Sequence, residues 1–188
     1  MEPKTILVTG FMPFAANATN PSWEAVRLLP ETVGNWRVVP LLLPVEYGHA
    51  VVLAAEKASD VHADAVLCVG LAGRSVITPE AIGINMRDTP IADNAGLLIQ
   101  GEPILPDGPA AYFSTLPVRK MTDAILAEKI PAMLSYTAGT YVCNDLLYSL
   151  LHRYANTAVR VAFIHVPTLE VLPLEDLVRA LTAAILAI

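Results

Sequence analysis

The chain reads as an α/β protein, a single-domain three-layer α/β/α sandwich around a mostly parallel, twisted sheet. Three observations predict it. Runs rich in Val, Ile and Leu alternate with helix-period segments along all 188 residues, the pattern of successive βαβ units. Apolar residues make up 54% of the chain and charged residues 16%, with a mean hydropathy of +0.51. That balance excludes intrinsic disorder and suits a sheet buried on both faces. No repeat, low-complexity segment or linker interrupts residues 1–188, so one domain is expected.

Lys4-Thr-Ile-Leu-Val-Thr is the first strand, and Gly10-Phe-Met-Pro-Phe opens the loop after it. Asn20 can cap a helix whose first residue is Pro21, where a missing N–H costs nothing. Trp36-Arg-Val-Val-Pro-Leu-Leu-Leu is a second strand, and Pro40 places it at an edge or a bulge. Helix is predicted over Glu46 to Ser59, a continuous buried strand over Asp64 to Gly70 and another strand over Glu80 to Met86. From Arg87 to Ala111 the pattern dissolves into Asp, Asn, Gly and Pro, with a small hairpin around Gln100-Gly101. A stretch of that length is expected to be mobile without substrate. An amphipathic helix over Leu116 to Lys129, a short strand over Ala132 to Tyr136 and a helix over Cys143 to Tyr154 follow. A strand over Val159 to Val166 and a helix over Leu174 to Leu186 close the chain.

Charge and cysteine usage bound the partners. Twelve Lys and Arg against eighteen Asp and Glu give a net charge of −6 without a basic run. Such a surface repels phosphate backbones, so nucleic acid is excluded as a partner. No apolar run reaches the ~18 residues a spanning helix needs, so no membrane is expected either. Met1 to Gly10 reads as a strand and not as a signal peptide. Cys68 and Cys143 are too few for a disulfide framework and fit a reducing cytosol.

In sheets of this kind reactive groups gather at the carboxyl ends of the strands. Gly10-Phe11, Gly70 to Glu80, Tyr136 to Cys143 and His165 all fall there. Cys143 opens a helix, where unpaired N–H groups favour a thiolate and can bring a thiol from ~8.5 into roughly 3.5–7.5. The competing reading is a small buried hydrophobe, which is how mid-strand Cys68 reads. Among the histidines, His49 and His62 bracket a helix, and His152 lies about two and a half turns beyond Cys143. His165 stands at a strand tip with apolar neighbours, as a general base or as a hydrogen-bonded core histidine. Glu80, Asp88 and Asp145 are all candidates for a carboxylate that fixes its tautomer, and spacing does not choose among them. Gly70-Leu-Ala-Gly-Arg is a weak phosphate-turn signal without a following Gly-Lys-Ser/Thr. No cluster has metal-ligand spacing, and no cofactor is implied. Trp23, Trp36 and Tyr47 read as packing.

Five motifs together are similar to one family. Gly10-Phe-Met-Pro-Phe with Asn20-Pro-Ser-Trp-Glu, Leu43-Pro-Val-Glu-Tyr, Val69-Gly-Leu-Ala-Gly-Arg-Ser-Val-Ile-Thr-Pro-Glu, Ala138-Gly-Thr-Tyr-Val-Cys-Asn-Asp-Leu-Leu-Tyr and Phe163-Ile-His-Val-Pro resemble the pyrrolidone-carboxylate peptidases (pyroglutamyl peptidase I). The resemblance runs in order from the first strand to the last helix. It implies a cytosolic cysteine exopeptidase that removes N-terminal pyroglutamate, on an α/β/α fold, without metal or cofactor. A homo-oligomer is implied too, a tetramer favoured over a dimer. The triad maps onto Cys143 as nucleophile, His165 as base and Glu80 as orienter. Phe11 and Phe14 match the residues that hold the lactam ring, and Leu71, Ile91, Tyr141 and Val142 complete the expected wall. A flat, uncharged ring suits a slot between aromatic faces.

The chain also departs from the family's pattern. Ala15-Ala16 replace a Gly-Gly, the glycine-rich turn is one residue shorter, and Ala81 stands for an arginine after the triad glutamate. An arginine thought to assist the oxyanion is Pro90, with Arg87 three residues earlier as a substitute. Losing one oxyanion donor costs about 10²–10³ in turnover. The Ala15-Ala16 and Pro90 changes motivate a second reading, a thiol amidase for another small N-acyl group, and a third, from a different class, is a non-catalytic lactam- or peptide-binding protein. Trapping of Cys143 by iodoacetamide near neutral pH, faster than Cys68, is the expectation that separates a catalyst from a binder.

Overall fold

The computed structural model describes residues 3–14 and 18–188; the Ala15-Ala16 departure lies outside the described residues. Strand β1 (Lys4–Phe11) leads to helix α1 (Pro21–Val26), β2 (Thr32–Val33) and β3 (Trp36–Leu43). Helix α2 (His49–Asp60), β4 (Ala65–Leu71), β5 (Thr78–Glu80) and β6 (Ile82–Ile84) come next. After a long connection come β7 (Ala111–Phe113), α3 (Val118–Ala127), α4 (Val142–Arg153), β8 (Arg160–Val166) and α5 (Leu174–Leu186).

The main sheet has the order β2-β3-β1-β4-β8-β5. Its four inner strands are parallel, and β2 and β5 close the edges antiparallel. Because side chains alternate along a strand, Ile6, Val8, Leu67, Val69, Ala162 and Ile164 enter one core. That core is completed by residues of α1, α3 and α5. Leu7, Val66, Cys68, Val161 and Phe163 enter the other core, beneath α2 and α4. The expected three layers and the parallel sheet are both present. The strand order reverses between β1 and β4, and an α/β sheet opens a crevice beyond the carboxyl ends at such a point.

Local chemistry explains the element boundaries. Asn20 accepts a hydrogen bond from Ser22 N at 3.1 Å and caps α1 behind Pro21, as the sequence predicts. Gly10 allows the helix to lie on β1, because a Cβ there would come within 2.7 Å of Trp23 Cα. Pro40 sits where β3 has no outer neighbour, since β2 pairs only with Trp36 and Arg37.

Three expectations are corrected. The strand predicted over Glu80 to Met86 breaks at Ala81, whose N–H bonds to Ser135 O and whose carbonyl accepts from Ser114. Its first part joins the main sheet, and its second pairs with β7 in a separate two-stranded ribbon. Residues 132–136 form only two isolated bridges, Ala132 to Ile77 just before β5 and Ser135 to Glu80 within it, not a strand. The 87–111 segment, expected to be mobile, is tied into the body. Arg87 and Glu102 exchange backbone hydrogen bonds, Thr89 N reaches Ile99 O, and Asn94 N reaches Val45 O. Gly101 turns in the left-handed region, at φ +66, just before Glu102 pairs back to Arg87. Asp93 accepts from Ala95 and Leu97 on one oxygen and from Tyr47 on the other. With Ile99 and Ile104 buried, composition alone misjudged this segment because its anchors are side-chain-to-backbone bonds.

Candidate active site

The parity of two adjacent strands builds the site. On β8, His165 follows Val161 and Phe163 on the face that looks at α4. On β4, Gly70 is the residue paired laterally with His165. A Cβ at Gly70 would lie 3.0 Å from Cys143 Sγ and 2.7 Å from the Phe163 ring. Glycine is needed there because the sulfur hangs over the sheet at that point. Cys143 is the second residue of α4, so thiol and imidazole share one face of the sheet at neighbouring strand positions.

Edge strand β5 supplies the carboxylate. Its antiparallel register sets Thr78 beside His165 and Glu80 beside Phe163. His165 Nδ1 meets Glu80 Oε1 at 2.8 Å, and Glu80 is fully buried. A carboxylate there accepts from Nδ1, which leaves Nε2 as the free nitrogen. The same oxygen accepts from Arg74 at 2.8 Å and from Thr78 Oγ1 at 3.1 Å. Arg74 also donates to Ser135 Oγ and to Thr137 O, bridging β5 to the turn that enters α4. Oε2 is buried with no hydrogen-bond partner among the described residues. Of the three candidate carboxylates, Glu80 alone reaches the imidazole. Asp88 makes backbone bonds to Thr140, and Asp145 pairs with Arg87. The other histidines lie elsewhere, His49 on Glu46 and His152 on Tyr112.

Phe11, Phe14, Leu71, Tyr141 and Cys143 line one pocket, together with Asn20 and Val45. Its unfilled space is about 270 Å³ with the mouth included. Tyr141 is fixed by a hydrogen bond to Ala92 O and by ring contacts with Phe14 and Tyr47. Two expected wall residues are not there. Ile91 is 48% exposed on the outer loop, and Val142 points into the core beneath α2 and α4.

Arg87 is spoken for. Its Nε and Nη2 reach Asp145 Oδ1 at 2.8 and 2.6 Å, and its guanidinium lies 5.5 Å from the Tyr47 ring centre. Asp145 is fully buried, and its second oxygen accepts from Gly48 N at 3.0 Å. This pairing corrects the expectation that Arg87 assists an oxyanion. It also makes Tyr47 part of the pocket's support, beyond mere packing.

The thiol differs from expectation as well. Burial pushes Cys143 up to about 12, with Cys68 and Glu80 adding to the rise. Its own backbone N–H and Arg74 pull the other way without prevailing. Desolvation of a charged sulfur works against the helix start, so the pKa is displaced upward and not downward, although Cys143 keeps part of its surface open to the pocket. Cys68 is fully buried and likewise pushed up to about 12. Sequence reasoning missed Arg74, Asn20, Val45 and Asn144. Asn144 binds Ile84 N, Ile84 O and Met86 O at 2.9, 2.9 and 3.0 Å and straps the ribbon to α4. A buried polar side chain next to the thiol was the available signal. Among the described residues no group of three His, Cys, Asp or Glu side chains could hold a metal ion, and no helix is long and apolar enough to cross a membrane.

A thiol over the sheet rim, an imidazole bonded to a buried carboxylate and an aromatic-walled pocket define an α/β protein of the thiol-hydrolase class. A family model described as pyroglutamyl peptidase matches residues 4–188. Pyrrolidone-carboxylate peptidase of Levilactobacillus brevis is 44% identical, over 97% of this chain and 96% of that protein. That of Pseudomonas fluorescens is 41% identical, over 98% and 92%. The crystal structure of pyroglutamyl peptidase I from Bacillus amyloliquefaciens matches with a TM-score of 0.93 at 38% identity, covering 98% of this chain and 96% of that one. Pyrrolidone carboxyl peptidase from Thermococcus litoralis matches with 0.91 at 32% identity, covering 98% and 92%. The chain belongs to the pyroglutamyl peptidase family.

Two outcomes test this geometry. Arg87→Met strands a buried carboxylate and should lower unfolding stability by about 3 kcal/mol; an unchanged urea midpoint would mean that the pair contributes nothing. Because folding raises the Cys143 pKa, its thiolate fraction grows as pH rises toward that value. Alkylation by iodoacetamide should therefore accelerate steadily between pH 6 and 9 while Cys68 stays unlabelled in the folded chain. A rate constant flat across that range would show a thiolate already formed at neutral pH.

Proposed function

We propose that this pyroglutamyl peptidase releases N-terminal pyroglutamate from peptides by a thioester route carried by Cys143, His165 and Glu80. One observation carries the reading: Sγ overhangs Gly70, the strand neighbour of His165, while Glu80 holds the far nitrogen of that imidazole. The lactam ring fits between Phe11, Phe14 and Tyr141, a slot that suits a flat, uncharged group. A charged or open-chain residue would lose its hydration there without a partner.

Sγ attacks the pyroglutamyl carbonyl as its proton passes to His165 Nε2. The imidazolium so formed faces Glu80, whose carboxylate stabilises it without taking the proton. The carbonyl oxygen becomes an oxyanion beside the start of α4, where the Cys143 N–H has no intrahelical acceptor. His165 then protonates the leaving amine and the C–N bond breaks. Water, deprotonated by His165, attacks the thioester, and pyroglutamate leaves with the thiol restored. Arg74 offsets the charge of the buried Glu80 and keeps it facing Nδ1.

The reading extends to one domain over residues 1–188, a cytosolic setting supported by two free thiols, and a homo-oligomer with a tetramer favoured. Phe113, Met133 and Tyr136 support the assembly: all three are well exposed, and Ala81 bonds the backbone of both Ser114 and Ser135. Three large apolar side chains carried by segments next to β5 and β6 are thus left to solvent.

The wild type should hydrolyse a chromogenic pyroglutamyl amide far faster than prolyl or glutaminyl amides. Cys143→Ser should cut kcat by about 10³-fold or more with KM little changed. Equal turnover of the three amides, or an active Cys143→Ser, would overturn the assignment. Light scattering should give a mass that is a multiple of the 20.1 kDa chain, and a monomer would remove the assembly from the reading.

A further inference from the structure

We propose that a second groove, on the far side of Leu71, receives the residue that follows pyroglutamate, and that Glu170 makes it prefer a positively charged side chain there. This rests on the peptidase reading above and extends it to the leaving side of the scissile bond.

Leu71 is a shared wall. On one side it lines the pocket of Phe11, Phe14 and Cys143. On the other it lines a groove with Thr19, Pro21, Thr168, Leu169 and Glu170, about 570 Å³ with its open side included. The direction of the chemistry connects the two. The acyl ring is enclosed by aromatic side chains, so the rest of the peptide has to leave the sulfur toward the group that protonates its amine, His165. From His165 the chain runs through Val166 and Pro167 straight into Thr168, Leu169 and Glu170, the groove's own wall. An extended peptide advances about 3.3 Å per residue, so one or two residues suffice to pass over Leu71.

The groove's chemistry then selects its occupant. Glu170 is the one ionisable side chain among its described lining residues; the others are Ala, Thr, Pro and Leu. The Thr168 hydroxyl and the Glu170 backbone N–H hold its carboxyl below its ordinary range, so the groove carries a negative charge across the working pH range. Lys, Arg or His after pyroglutamate meets that charge, and Asp or Glu is repelled by it. The carboxylate is exposed, which keeps the effect modest and sensitive to salt.

The experiment compares kcat/KM for two peptides, pyroglutamyl-Lys-Ala amide and pyroglutamyl-Glu-Ala amide, at low salt and at about 1 M salt. The wild type should favour the lysyl peptide by about threefold to tenfold at low salt, and high salt should shrink the ratio toward one. Glu170→Gln should abolish the preference and Glu170→Lys invert it. A wild-type ratio near one, or a ratio that survives Glu170→Gln, overturns the proposal while leaving the peptidase reading intact. Failure of the wild type to turn over the chromogenic amide overturns both.

Discussion

A buried carboxylate at the edge of a sheet is what the catalytic end of this molecule is organised around. Taking Glu80 out of water is unfavourable unless charge and hydrogen bonds replace its hydration. One of its oxygens therefore collects Arg74, Thr78 and His165. Each donor fixes a different part of the structure. Thr78 sets the register of β5 on β8, His165 belongs to β8 itself, and Arg74 reaches on to the backbone of Thr137. The loop after β4, the edge strand and the approach to α4 are held to one another through that oxygen. The imidazole has no latitude to turn away from the sulfur's side of the sheet.

Much of this could be read from the amino acids. Alternation of strand and helix runs gave the layers, and the Asn20-Pro21 pair located α1. The strand-end position of His165 and the helix-start position of Cys143 are legible in the residue pattern itself. What stayed hidden depended on tertiary geometry. The break at Ala81 is made by partners 33 and 54 residues away, Ser114 and Ser135, and no local pattern announces it. The 87–111 segment is polar and glycine-bearing, so it reads as loose, yet Asp93 spends both oxygens on backbone N–H groups. The choice of Glu80 over Asp88 and Asp145 came from family resemblance; only the antiparallel register of β5 explains it physically.

Arg87 shows how a change of charge can be absorbed by a fold. A guanidinium beside a catalytic pocket invites a direct role, and sequence position alone supports one. In the structure it donates twice to one oxygen of a fully buried Asp145 in the first turn of α4, two residues after the thiol, and it lies over Tyr47. Tyr47 in turn meets Tyr141 edge-on at 5.6 Å. The cation thus braces the pocket wall from behind. Shape at the ring slot and charge at the helix start are supplied by one cluster, separate from the three donors around Glu80.

The upward displacement of the Cys143 pKa bears on how long the protein lasts. Peroxides attack thiolates, and the first step toward irreversible sulfur acids is faster the more ionised the sulfur is. A raised pKa lowers the share of ionised sulfur at a given pH and slows that first step. Endurance under oxidative stress is thereby built into the same burial that makes the sulfur poorly nucleophilic at rest.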